Sequence, residues 1–139
     1  MENAPVKQKN EHLEQKEFMI TFRKKYPGVF VFAIPNGGRD SYATINYFYE
    51  EGLYPGIPDL NIPQWDLWVE MKTMKGLLRD NQQACIKELL AIGQNVIVGY
   101  TCTNALEKIE LFLDSGIKSG YGDIEKPKVA RTCKILKLR

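Results

Sequence analysis

The stretch that decides the fold is PDLNIPQWDLWVEMK, residues 58–72. A Pro-Asp pair, Pro58-Asp59, opens a short alternating run in which Leu60 and Ile62 share one face and Asp59 and Asn61 the other. Residues 63–66 (Pro-Gln-Trp-Asp) form a tight connection, and the apolar residues 67–73 run back. A link this short predicts two adjacent antiparallel strands, which brings Asp59 within reach of Glu70. Strand side chains alternate, so Glu70 and Lys72 point one way and Val69 and Met71 the other. Two carboxylates and an ammonium on one sheet face describe a place for a divalent cation and a phosphate. An ordinary ion pair between Glu70 and Lys72 on an exposed strand explains the same spacing, and the rest of the chain must decide between them.

The size of the chain allows one domain. With 139 residues, 44% hydrophobic and 26% charged, it has the composition of a globular protein with a single core. No run approaches the roughly 20 apolar residues of a membrane span. Residues 1–10 are polar, contain Pro5 and lack the apolar centre of a signal peptide. Cys85, Cys102 and Cys133 lack metal-ligand spacing and read as thiols in a reducing compartment. His12 is the single histidine, which argues against zinc chemistry and a Ser-His-Asp arrangement and leaves acid-base work to Asp, Glu and Lys. Charge is unevenly spread. Residues 1–117 carry 12 Lys+Arg against 15 Asp+Glu, whereas residues 118–139 carry 7 against 2. A basic end on a mildly acidic body points to a polyanionic partner.

Upstream, residues 11–26 have a helical period, with Phe18, Met19, Phe22 and Tyr26 on one side. At about 100° per residue Glu11 and Gln15 continue that face and Glu14 lies toward its edge. An acid on a core-facing stripe calls for a partner, although one at a helix N-terminus is also favoured by the dipole. Residues 29–34 (VFVFAI) predict a buried strand, broken by Pro35-Asn36-Gly37-Gly38; Arg39 follows, in reach of a phosphate or simply solvated. Residues 41–51 predict a helix in which Tyr42, Tyr47, Phe48 and Tyr49 are more aromatics than one buried stripe needs. Downstream, Lys75-Gly76 makes a turn and a helix runs from Asp80 or Asn81 to about Ile92. Its core face holds Cys85, Ile86, Leu89 and Leu90, with Gln82 in the middle and so in need of a hydrogen-bond partner, for which strand 67–73 is the neighbour. Residues 95–100 predict a buried strand parallel to 67–73 through a right-handed crossover. A last helix starts at Thr103 or Asn104 and ends near Leu113. Part of the basic end, residues 128–138, reads as an edge strand or a docking arm.

The series helix, strand, PNGG turn, helix, GxPD, ExK, turn, Gln-bearing helix, strand resembles the PD-(D/E)xK nuclease superfamily. More narrowly it is similar to the VRR-NUC domain family of stand-alone phage nucleases and Fanconi-associated repair nucleases. The pieces that carry the resemblance are residues 33–38 (AIPNGG), Glu51-Gly52, residues 55–60 (PGIPDL), residues 69–72 (VEMK), and Gly76 with Gln82. The resemblance implies an α/β restriction-endonuclease-like mixed sheet flanked by helices. It divides the chain into a flexible start at 1–10, a nuclease domain at 11–116 and a basic extension at 117–139, to which no family function transfers.

The resemblance also implies Asp59 and Glu70 as metal ligands for Mg²⁺ or Mn²⁺, with the main-chain carbonyl of Met71, and Lys72 as the catalytic lysine. The first-helix acid falls on Glu11, with Glu14 in reserve, and Gln82 matches the helix glutamine. Asn36, Arg39 and Lys75 would contact DNA. The implied activity is a metal-dependent endodeoxyribonuclease acting on branched, flapped or Holliday-junction-like DNA, read by shape. A non-cleaving DNA-binding or scaffold module on the same fold is the alternative, and a sequence-specific restriction-type nuclease is a third. Two symmetric cuts in a two-fold substrate need two sites, which leads to an expected homodimer, with the aromatic helix as its interface. The implied place of action is the cytoplasm of a bacterial host, with no membrane partner.

Overall fold

The structure is a computed structural model that describes residues 10–35 and 41–129. Five strands form one sheet in sequence order, β1 (Phe32–Ala33), β2 (Leu60–Ile62), β3 (Leu67–Met71), β4 (Asn95–Gly99) and β5 (Gly122–Asp123). The first three are antiparallel neighbours, and β4 and β5 join in parallel. Four helices flank the sheet, α1 (Glu11–Lys25), α2 (Tyr42–Glu50), α3 (Asp80–Ala91) and α4 (Cys102–Asp114). This is the mixed α/β architecture expected from the sequence.

The alternation of β3 and β4 creates two apolar layers. Leu67, Val69, Met71 and Ile97 meet Phe18 and Phe22 of α1 and Ala105, Leu106, Ile109 and Phe112 of α4. Val96, Val98 and the half-buried Trp68 meet Ile86 of α3 on the other face. The hairpin between β2 and β3 is closed by a 3₁₀ turn, Pro63–Trp65, after which Asp66 adopts φ 49. Aspartate tolerates that left-handed conformation better than most residues. α4 comes very close to β4, because a Cβ on Gly99 would stand 2.3 Å from that of Ala105.

Several elements differ from the sequence reading. The predicted buried strand 29–34 contracts to Phe32–Ala33, and both residues are exposed; the edge has only β2 to pair with. Helix α2 buries none of its side chains, so its aromatics are not core residues. In α1 it is Glu14 that is buried, at 4% exposure, while the Glu11 side chain is half open in the first turn. Of the basic end, Gly122–Asp123 joins the sheet beside β4. Lys108, buried in α4, ties this segment down: its Nζ donates to the Val98 carbonyl (2.8 Å) and the Glu125 carbonyl (2.6 Å) and pairs with Asp123 at 3.1 Å. Most of 128–138, and residues 1–9, lie outside the described residues.

Candidate active site

The register of the hairpin builds the site. Leu60 faces Val69, so the next step of the same register sets Asp59 opposite Glu70. The backbone holds Asp59 from both sides. Its carbonyl accepts from the Ile34 N–H at 2.8 Å, and its Oδ2 accepts from the Met71 N–H at 2.8 Å. A side-chain hydrogen bond joins Asp59 to Glu70. Lys72 extends the ladder by one bond, its N–H donating to the Gly99 carbonyl. Its Nζ lies 3.8 Å from both Glu70 Oε2 and Glu11 Oε2, although the side chain is only 4% exposed. Gly76 makes room for the lysine stem; a Cβ there would come within 3.2 Å of Lys72 Cδ.

Gln82 answers the requirement of a buried glutamine. Its Oε1 accepts from the Arg79 N–H at 2.9 Å, which turns Nε2 toward Glu70 Oε2, also at 2.9 Å. The amide is thereby oriented by its own helix start to donate to a carboxylate. Arg79 was not apparent from the sequence, where it follows Leu77-Leu78 in the loop before α3; its guanidinium charge acts on Glu70 as well.

Burial pushes the Glu70 carboxyl up to about 9, and the Asp59 charge adds to this while Lys72 opposes it. Asp59 is raised too, first by burial, with the Met71 N–H pulling the other way. Two buried carboxylates in hydrogen-bond contact need a proton or a cation between them. The donor set therefore fits a hard divalent ion, which takes oxygen ligands and keeps several waters. Among the described residues no cluster of three or more His, Cys, Asp or Glu that could hold a metal ion is present.

The structure brings Asp59, Glu70, Lys72, Gln82 and the edge of Glu11 together. Glu14 goes elsewhere: its Oε1 accepts from the Cys102 N–H at 2.8 Å, holding the start of α4. Lys75 lies exposed in the turn after β3. Asn36 and Arg39 lie outside the described residues.

No family model matches the sequence, and no curated protein matches it. A solved structure described as a VRR_NUC domain protein superposes with a TM-score of 0.63 and 20% sequence identity, covering 90% of this chain and 100% of that one. That likeness is one of fold, and it extends over nearly the whole chain. The fold is thus of the VRR-NUC type, the one the series of motifs resembles.

Proposed function

We propose that the chain is a metal-dependent endodeoxyribonuclease that hydrolyses phosphodiester bonds in branched or flapped DNA, Holliday-junction-like forms included. The observation that carries this reading is the convergence of Asp59, Glu70 and Lys72, with the two carboxyls in contact and both raised above their ordinary range. Asp59, Glu70 and the Met71 carbonyl would hold Mg²⁺ or Mn²⁺, with Glu11 at the outer edge. Such a cation, when bound, polarises the phosphate and acidifies a water. Lys72 places a compact positive charge where charge builds up on the phosphoryl oxygens and orients the attacking water. Gln82, donating to Glu70 Oε2, would fix the orientation of that carboxylate as a ligand. Asn36, Arg39 and Lys75 supply backbone contacts, in keeping with recognition of shape rather than bases.

Two copies would give paired cuts. On α2, Tyr42 and Tyr47 are 87% and 62% exposed, which supports a homodimer contact there. Among the described residues no helix is long and apolar enough to cross a membrane, and action on cytoplasmic DNA is part of this proposal.

The test is cleavage of junction, flap and linear DNA with Mg²⁺, Mn²⁺ or chelator, with Lys72→Ala as control. Metal-dependent cutting of branched DNA, lost in the variant, is expected. DNA binding that survives chelation, without cutting under any metal, would refute the enzyme in favour of a scaffold.

A further inference from the structure

Residues 53–57 close against the first turn of α3. Gly56 has φ +80, and a Cβ there would lie 2.3 Å from the Asn81 carbonyl oxygen and 2.8 Å from the Gln82 nitrogen, so loop and helix backbones touch. Beside this contact lies a cavity of about 270 Å³, walled by Tyr49, Leu53, Tyr54, Ile57, Arg79 and Gln82. The Tyr54 hydroxyl donates to the Glu88 carboxylate, which fixes its ring. Gln82 lines the cavity and also donates its Nε2 to Glu70 Oε2, so one residue links the cavity to the carboxylate pair.

Two aromatic rings beside a guanidinium form a combination that holds a base by stacking and a phosphate by charge. The volume is slightly below that of a typical small-ligand pocket, which suits one nucleotide released from its stack and excludes a base pair in a duplex. A neighbouring groove of about 510 Å³, between Tyr54, Ile57, Cys85, Leu89 and Ile92, is larger but apolar, and its one charged wall residue is Glu88, which repels phosphate. We propose that the smaller cavity takes one unpaired nucleotide next to the scissile phosphodiester, its base against Tyr49 and Tyr54 and its phosphate toward Arg79. This inference rests on the nuclease reading and narrows it: the enzyme selects DNA by an unpaired nucleotide beside the cut.

The experiment compares kcat/KM on flapped DNA carrying either a normal base or an abasic residue at the nucleotides adjoining the mapped cut. The wild-type protein should prefer the base-bearing strand by about tenfold, the effect of one base stacked on an aromatic ring. Tyr49→Ala should bring that ratio close to one, and Tyr49→Phe should keep it. Because the ratio is internal to each variant, partial loss of folded protein cancels. A wild-type ratio near one, or a ratio kept in both Tyr49→Ala and Tyr54→Leu, overturns the inference while leaving the nuclease intact. Failure of the wild-type protein to cut any DNA refutes the nuclease instead. The pocket is then read by 2-aminopurine scanned along the flap in bound DNA: a position-specific change in fluorescence that Tyr49→Ala abolishes supports it, and no such change at any position overturns it.

Discussion

Replacing Glu70 by glutamine tests the electrostatics of the site apart from its chemistry. Without a cation, the folded protein holds a proton on Glu70 up to about pH 9, whereas the unfolded chain releases it near the ordinary value of 4.5. The folded state therefore binds the extra proton throughout that window. Its contribution to stability is complete below the unfolded value and is lost as pH rises through about 9. One proton of difference is worth about 1.4 kcal/mol per pH unit, so between about pH 6 and pH 8 the metal-free protein should lose roughly 3 kcal/mol. That is a large share of the 5–15 kcal/mol typical of a domain, roughly speaking. Denaturant unfolding in chelator across this range reads it directly. Glu70→Gln keeps the shape and removes the titration, so its profile should be nearly flat, and saturating Mg²⁺ should flatten the wild-type profile by taking the place of the proton. A flat wild-type profile in chelator, or an unchanged slope in Glu70→Gln, would refute the reasoning that the pair shares a proton in place of a metal.

Asp59→Asn keeps an acceptor for the Met71 N–H but removes a charged ligand; cleavage should fall by more than about a hundredfold with the melting transition retained, and a near wild-type rate would remove Asp59 from the site. Glu14→Ala strips the Cys102 N–H of a buried, charged acceptor and should cost about 2–3 kcal/mol in unfolding. Glu11→Gln, at a half-open side chain, should shift stability by less than about 0.5 kcal/mol while lowering cleavage; the reverse pattern of effects would exchange the two roles. Truncation after Val129 should weaken DNA binding and flatten its salt dependence, because the removed residues 130–139 carry four Lys and Arg and no acid; an unchanged slope would show that they do not touch phosphate.

What was legible from the sequence was local. The alternation in 58–72, the four-residue link and the Gln82 position on its helix face fixed the hairpin, the pairing of the carboxylates and the direction of the glutamine. The crossover from β3 through α3 to β4 followed from lengths alone. The features that escaped depend on partners remote in the chain. Glu11 and Glu14 lie on nearly the same side of a helical wheel, and what buries one of them is the start of α4, 88 residues away. Lys108 reads as one charge among several on a surface helix until β5 supplies Asp123. Gly122–Asp123 carries no strand signal, and its pairing is set by the edge that β4 offers. The aromatics of α2 outnumber what one buried stripe needs, and none of them is buried.

Each strand pairs with the next one in the chain, and this ordering has a consequence for how the molecule assembles. Loops between β2 and β3 close at little entropic cost, so the two carboxylates can meet before the C-terminal half is in place. The clasp from Glu14 to the Cys102 amide spans most of the chain and must come late. Pulse-labelled hydrogen exchange during refolding should show the Met71 amide, bonded to Asp59, protected ahead of that of Cys102; simultaneous protection would mean that the hairpin has no life of its own.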